Sequence, residues 1–300
     1  MKSPEANSKT KSSKAKSATS SADTSIASNR NLMLRIASAL VLAPLAIGAA
    51  WRGGLPFAAF WTVAALAVWW EWLGLIGLRG HSKTLLAGVA ALLAMALLAN
   101  AGYFDRALVI MLLVPIGIAA TIREKAGWIA GGFFYAGSLL LAPVILRNDP
   151  QYGFAAILFL FAVVWSSDIG GYFGGRLIGG AKLAPSISPK KTRSGAITGT
   201  ATAMIAALAI VYGMEGQLPV YGFVMTAVTA LLLSVASQAG DLFESAIKRH
   251  FGAKDASNLI PGHGGVMDRL DGFIFASFVA ACLGVLRGGF DLAGRGAMLW

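Results

Sequence analysis

Gly240 to Asp271 reads GDLFESAIKRHFGAKDASNLIPGHGGVMDRLD, and no other part of the chain gathers so much charge. It holds five carboxylates (Asp241, Glu244, Asp255, Asp268, Asp271) and four cations (Lys248, Arg249, Lys254, Arg269). The runs on either side, 218–240 and 271–288, are apolar and close to the length of about 20 residues that a helix needs to cross a bilayer core. A charged segment strung between two such runs decides the fold. It is a polar connection at one face of a membrane bundle, and the chain around it should consist of membrane helices.

The rest of the sequence agrees. Apolar residues make up 56% of the 300 positions and charged ones only 13%, outside the range of ordinary soluble domains. Further apolar runs lie at 32–51, 56–78, 84–101, 107–121, 126–146, 152–173 and 195–213, so the expected fold is an all-α polytopic integral membrane bundle of about nine transmembrane helices. Residues 1–30 are rich in Ser, Ala, Thr and Lys without apolar periodicity, which predicts a disordered basic tail whose lysines can meet anionic headgroups. The expected division is this tail, N-terminal membrane helices over 31–150, and a C-terminal catalytic membrane region over 151–300. The first run follows a polar region too long for a signal peptide and is expected to be retained as a helix.

Charge sorts the connections. With the N-terminus inside, the cytoplasmic connections carry Arg79 and Lys83, then Arg123 and Lys125, then Arg176, Lys182, Lys190, Lys191 and Arg193, then Lys248, Arg249, Lys254 and Arg269. The opposite side carries Arg52, Arg106 and Arg147, with Arg287 and Arg295 near the C-terminus. Basic residues collect on the cytoplasmic side of membrane proteins, so the N-terminus and the charged stretch are expected there. The net charge of +11 suits nucleic acid in principle, yet no soluble segment is long enough for a binding domain, and no nucleic acid partner is expected. Cys282 is the only cysteine, which excludes an intrachain disulfide, and its apolar surroundings predict a core position. No internal repeat of the transporter kind is evident.

Within the charged stretch, Asp241, Ser245 and Lys248 recur at i, i+4 and i+7, which places them on one face of a helix continuing from the eighth run, with Glu244 beside them. Pro261, Gly262, Gly264 and Gly265 interrupt any helix, and Asp268 and Asp271 then share a face at the start of the last run. Carboxylates beside cations and a Gly-rich loop suit a nucleoside triphosphate with its divalent metal. Mg²⁺ is held by one or two carboxylates plus phosphates and water, cations neutralise the remaining charge, and glycines let backbone amides approach phosphate oxygens. Taken singly, each charge could simply pair with a neighbour at a wet membrane surface. Asp241 and Asp271 abut apolar spans, where ionised groups are costly and tend to be functional. Glu71, among Trp69, Trp70 and Trp72, reads as an interhelical hydrogen-bond partner, and the tryptophans as interfacial anchors or packing.

The run from Ser245 to Asp271 resembles the signature of the phosphatidate cytidylyltransferases, or CDP-diacylglycerol synthases. Ser245, Lys248, Arg249, Lys254, Asp255, Pro261, His263, Gly264, Gly265, Asp268, Arg269 and Asp271 all fall in that pattern. A second segment, WSSDIGGYFGGR followed by SISPKKTRSG, is similar to the family's other cytoplasmic loop through Asp168, Tyr172, Gly175, Arg176, Ser188, Pro189, Lys190, Lys191, Thr192 and Gly195. Family members commonly carry an acidic residue before that last glycine, where this chain has Ser194. The likeness is strong over residues 160–290, and the first half matches only in hydropathy.

The resemblance implies that phosphatidate and CTP give CDP-diacylglycerol and pyrophosphate, with Mg²⁺ required and a second cation compatible with it. It implies that Asp241 and Asp268 hold the metal with Asp271 in or near its shell, and that Lys248 and Arg269 act with them on the reacting phosphates. Asp168, Arg176, Ser188, Lys190, Lys191, Thr192, Ser245, Arg249, Lys254, Asp255, His263, Gly264 and Gly265 are then expected to bind substrate. A bacterial inner-membrane location and a homodimer fit the same family. Two rival readings are a CTP-dependent polyprenol or dolichol kinase, which needs a base to activate an alcohol, and a cation-coupled transporter, which needs charges at mid-span.

Overall fold

A computed structural model describes residues 40–120, 122–217, 219–260 and 264–300. The tail over 1–30, the start of the first run, and Pro261, Gly262 and His263 lie outside the described residues.

Ten helices follow in order: α1 (Leu40–Arg52), α2 (Gly54–Leu75), α3 (Ser82–Asn100), α4 (Phe104–Ala119), α5 (Ala126–Arg147), α6 (Gly153–Leu177), α7 (Arg193–Glu215), α8 (Val220–His250), α9 (Met267–Gly288) and α10 (Ala293–Met298). Helices occupy all nine expected positions. Seven of them, α2, α3 and α5 to α9, are long and apolar enough to cross a membrane, so the chain is an integral membrane helical bundle. The other two expected spans fall on α1 and α4. Helix α4 has 16 residues, which at 1.5 Å per residue span only about 24 Å against a hydrocarbon core of about 30 Å.

Two features were not among the expected spans. Between α6 and α7 a short antiparallel hairpin pairs β1 (Lys182–Ala184) with β2 (Ser188–Thr192), Lys182 opposite Thr192 and Ala184 opposite Ser188. Pro189 lies inside β2 rather than in a turn, a position tolerated because this two-stranded ribbon is all edge. Helix α10 is a buried segment beyond the last span. Asp149 fastens it, accepting from the Arg295 amide at 2.8 Å while its other oxygen takes the amides of Gln151 and Tyr152.

Helix α5 is the central element, with every residue from Tyr135 to Leu146 buried. Helix α2 packs beside it through Trp61, Trp69 and Trp72, all nearly inaccessible, and the Trp61 ring stacks on Phe273 of α9 at 4.7 Å. These tryptophans are packing residues. Trp70 instead lies beneath the Arg79 guanidinium at 4.0 Å. Cys282, expected in the core, is exposed on the outward side of α9.

Small residues set the closest helix contacts, as they must where lipid offers no hydrophobic drive for association. Helices α6 and α7 touch where a Cβ on Gly199 would come within 2.5 Å of the Ser167 carbonyl. Thr198 and Thr202 return hydrogen bonds from α7 to the carbonyls of Gly170 and Ser166 on α6. Helices α8 and α9 meet where a Cβ on Gly240 would lie 2.5 Å from the Asp271 carbonyl oxygen. That contact brings Asp241 and Asp271 to the same level of the bundle.

Cross-connections sort the helix ends. Lys125 donates to the Ile76 carbonyl at 2.6 Å, and Glu71 of α2 accepts from the backbone at the start of α9, so the connections after α2, α4 and α8 share one end. At the other end Arg147 donates to the Ala50 carbonyl at 2.5 Å. The basic connections therefore crowd one end of the bundle. Replacing Gly240 with valine should force α8 and α9 apart and lower stability by about 1–3 kcal/mol. Thermal unfolding of the purified protein in detergent reads this directly, and an unchanged Tm would contradict the close packing.

Candidate active site

A cleft of about 760 Å³ opens at the basic end, walled by α6, the β-hairpin, α7, α8 and the first turns of α9. Helix α8 supplies one wall because its helical register runs on to His250, ten residues past the expected end of the span. Asp241, Glu244, Ser245 and Lys248 consequently line the cleft from a single face. Helix α9 begins at Met267, so Asp268 and Asp271 both sit on helix, one turn apart, and both reach the cleft together with Arg269.

The opposite wall is built by α6 and the hairpin. Helix α6 extends to Leu177 and presents Asp168, Tyr172 and Arg176, with Arg176 donating to the Tyr172 hydroxyl at 2.9 Å. The hairpin presents Lys190, Lys191 and Thr192. Lys191 forms an ion pair with Asp241 across the cleft, so the two walls already meet through opposite charges. Thr192 is the N-cap of α7 and accepts from the Gly195 amide at 3.1 Å, which anchors the hairpin to a rigid helix start.

The densest polar cluster joins α8, α9 and the segment between them. Lys248 sits between Glu244 and Asp268, 2.5 Å from an oxygen of each. Asp268 also accepts from the amides of Ala256 at 2.9 Å and Gly265 at 2.8 Å. Its two oxygens thus hold three donors. Ser167, Thr200, Ser234 and Gln238 connect α6, α7 and α8 by hydrogen bonds of 2.9 to 3.2 Å, Ser167 and Gln238 from the lining of the cleft itself. This ladder fixes the three helices relative to each other where lipid supplies no competing partner.

Twelve of the expected site residues come together in this cleft: Asp168, Arg176, Lys190, Lys191, Thr192, Asp241, Ser245, Lys248, Asp255, Asp268, Arg269 and Asp271. Ser188, Arg249, Lys254, Gly264 and Gly265 do not line it. Arg249 turns back to the Ala253 carbonyl at 3.4 Å. Gly264 pairs with Ile260, and Gly265 gives its amide to Asp268, so these glycines shape the connection itself. His263 lies outside the described residues. Ser194 faces away from the cleft and donates to the Gly179 carbonyl at 2.5 Å. Glu244 and Gln238 line the cleft without having been expected there. Glu244 was legible, three residues after Asp241 and four before Lys248 on the same helical face; Gln238 carried no such signal.

The pairing pattern separates Asp241 from Asp268. An asparagine at 268 would leave Lys248 one carboxylate short and weaken the acceptor for two amides, so Asp268→Asn should lower Tm by several degrees. An asparagine at 241 loses only a half-exposed pair with Lys191, and its Tm should stay within about a degree of wild type. Parallel thermal scans of the two variants in detergent test the difference.

The profile of the cytidylyltransferase family matches residues 33–286. A phosphatidate cytidylyltransferase of Brucella suis biovar 1 (strain 1330) is 40% identical over 264 residues, covering 85% of this chain and 94% of that protein. Proteins of the same description from Bacillus subtilis (strain 168) and Staphylococcus aureus (strain COL) are 41% identical over 152 residues and 45% over 123, covering 51% and 41% of this chain and 55% and 46% of theirs. With a family match across most of its length and a relative that it parallels almost end to end, this chain belongs to the cytidylyltransferase family.

Proposed function

We propose that the protein transfers the cytidylyl group of CTP to phosphatidate, giving CDP-diacylglycerol and pyrophosphate. The observation that carries this reading is the single cleft in which the Lys190–Thr192 strand faces Asp241, Asp271 and Arg269 at the basic end of a membrane bundle. Relatives described as phosphatidate cytidylyltransferases support it.

A phosphate monoester carries nearly two negative charges near neutral pH, so phosphatidate is a nucleophile without a general base. One of its oxygens forms a bond to the α-phosphorus of CTP. The bond from that phosphorus to the bridging oxygen breaks, and its electron pair leaves with pyrophosphate. The protein's task is to bring two polyanions together and stabilise the departing charge. Lys190, Lys191, Arg176 and Arg269 are placed for this on both sides of the cleft. Lys248 is already matched by two carboxylates and acts chiefly in holding Asp268.

The charge of the lining argues for a metal. Asp168, Asp241, Glu244, Asp255, Asp268 and Asp271 outnumber the five cations of the cleft, so side chains alone leave the phosphate charge uncompensated. Among the described residues no three carboxylate, histidine or cysteine side chains converge closely enough to hold an ion by themselves. The uncompensated phosphate charge fits Mg²⁺, which takes one or two carboxylates and completes its shell with phosphate and water. Asp241 and Asp271 would hold it, since Lys191 engages one oxygen of Asp241 and the Gly272 amide one oxygen of Asp271, whereas both oxygens of Asp268 are taken by Lys248 and two amides. When bound, it would draw charge from the phosphates and favour departure of pyrophosphate.

The basic end of the bundle faces the cytoplasm in this reading, by the charge bias of the connections and because CTP is cytosolic. Bacterial relatives make the inner membrane the fitting location. The test is incubation of the purified protein with labelled CTP, phosphatidate and Mg²⁺. Pyrophosphate and a CDP-linked lipid should appear, and chelation should abolish both. Release of CDP with a phosphorylated alcohol would instead reveal a lipid kinase.

A further inference from the structure

The buried carboxylate of Glu71 belongs to α2, far from the catalytic stretch in sequence, and is fully inaccessible. It accepts three hydrogen bonds, all from Ser257 and the start of α9. Ser257 Oγ donates at 2.5 Å and the Val266 amide at 2.8 Å to one oxygen, and the Met267 amide donates at 2.7 Å to the other. Val266 is the N-cap of α9 and Met267 its first residue, positions whose amides have no partner within the helix. Neither oxygen is directed at the cleft, and Glu71 is absent from its lining.

The glycine pair of the connection fits between this carboxylate and Asp268. A Cβ on Gly265 would come within 2.6 Å of a Glu71 oxygen, and one on Gly264 within 3.0 Å of an Asp268 oxygen. Glu71 therefore grips the connection from outside the cleft while Asp268 grips it from within. The start of α9, one residue before Asp268 and four before Asp271, is fixed in position by the first grip. Helix α2 is itself held rigidly by the buried Trp69 and Trp72, whose indole nitrogens donate to the carbonyls of Leu85 and Trp128.

We infer that Glu71 is a positioning residue through which the N-terminal half of the bundle sets the placement of Asp268 and Asp271. Its effect on turnover rests on the cytidylyltransferase reading; its effect on the connection does not. Glutamine at 71 presents an NH₂ group where one donor now finds an oxygen, so at least one of the three bonds becomes a clash of donors.

Two readouts on the full-length protein in detergent test this. In Glu71→Gln, hydrogen exchange of peptides covering 257–270 should accelerate at least about tenfold while those within α5 are unchanged, and turnover should fall about tenfold to a hundredfold. The Mg²⁺ concentration giving half-maximal turnover should rise, a change that a loss of folded protein would not produce. Ser257→Ala removes one bond and leaves the carboxylate intact, so it should move each readout in the same direction by a smaller factor, and it serves where Glu71→Gln does not fold. Unchanged exchange over 257–270 would overturn the inference. So would faster exchange with wild-type turnover and Mg²⁺ dependence. A wild-type protein that releases no pyrophosphate would refute the cytidylyltransferase reading, and the exchange comparison would still judge the role of Glu71.

Discussion

Lys248, held at 2.5 Å from both Glu244 and Asp268, is the junction on which the basic end of the bundle depends. Burying a lone charge at a membrane helix end is costly, and removing one partner from such a group leaves the others uncompensated. Here the lysine comes from α8 and one carboxylate from α9, while the amides of Ala256 and Gly265 bring in the segment between them. One cluster thereby ties 251–260 and 264–266, the described parts of the connection, to the ends of two helices. With both oxygens of Asp268 engaged, the cluster specifies one arrangement.

From that junction the site follows by geometry. Helix α8 leaves the apolar zone with Asp241 and Ser245 on the face that Lys248 shares, and α9 re-enters with Asp271 one turn beyond Asp268. The facing wall has a different origin. Close packing of α6 on α7 through glycines and threonines brings the end of one helix near the start of the next, and the hairpin bridging them carries Lys190 and Lys191 toward Asp241. The Lys191–Asp241 ion pair joins the two walls of the cleft at rest.

Much of this was legible in the sequence, and the reasons are specific. Apolar runs fixed the position of nearly every helix because a bilayer demands length and hydropathy together, conditions that few soluble segments meet. Asp241, Ser245 and Lys248 announced a common face by their spacing. Helix ends were less legible: α8 runs ten residues past its apolar portion and α6 four past the expected limit, because polar residues at a membrane surface remain good helix formers. The glycines after Ile260 suggested a phosphate cradle, yet Gly264 and Gly265 make room for two carboxylates. Glu71 could be read as a hydrogen-bond partner, but its partners lie nearly two hundred residues away, and only tertiary structure brings them together.

If the hairpin and the α8–α9 end form one active site, a residue from either wall must matter to the same reaction. The most direct measurement is kcat/KM for cytidylyl transfer in Lys191→Ala and in Arg269→Ala, each compared with wild type in the same detergent. Both should fall by at least about tenfold, the scale expected for losing a charge-assisted contact to phosphate. Wild-type kcat/KM in Lys191→Ala alongside a crippled Arg269→Ala would contradict a site shared between the two walls.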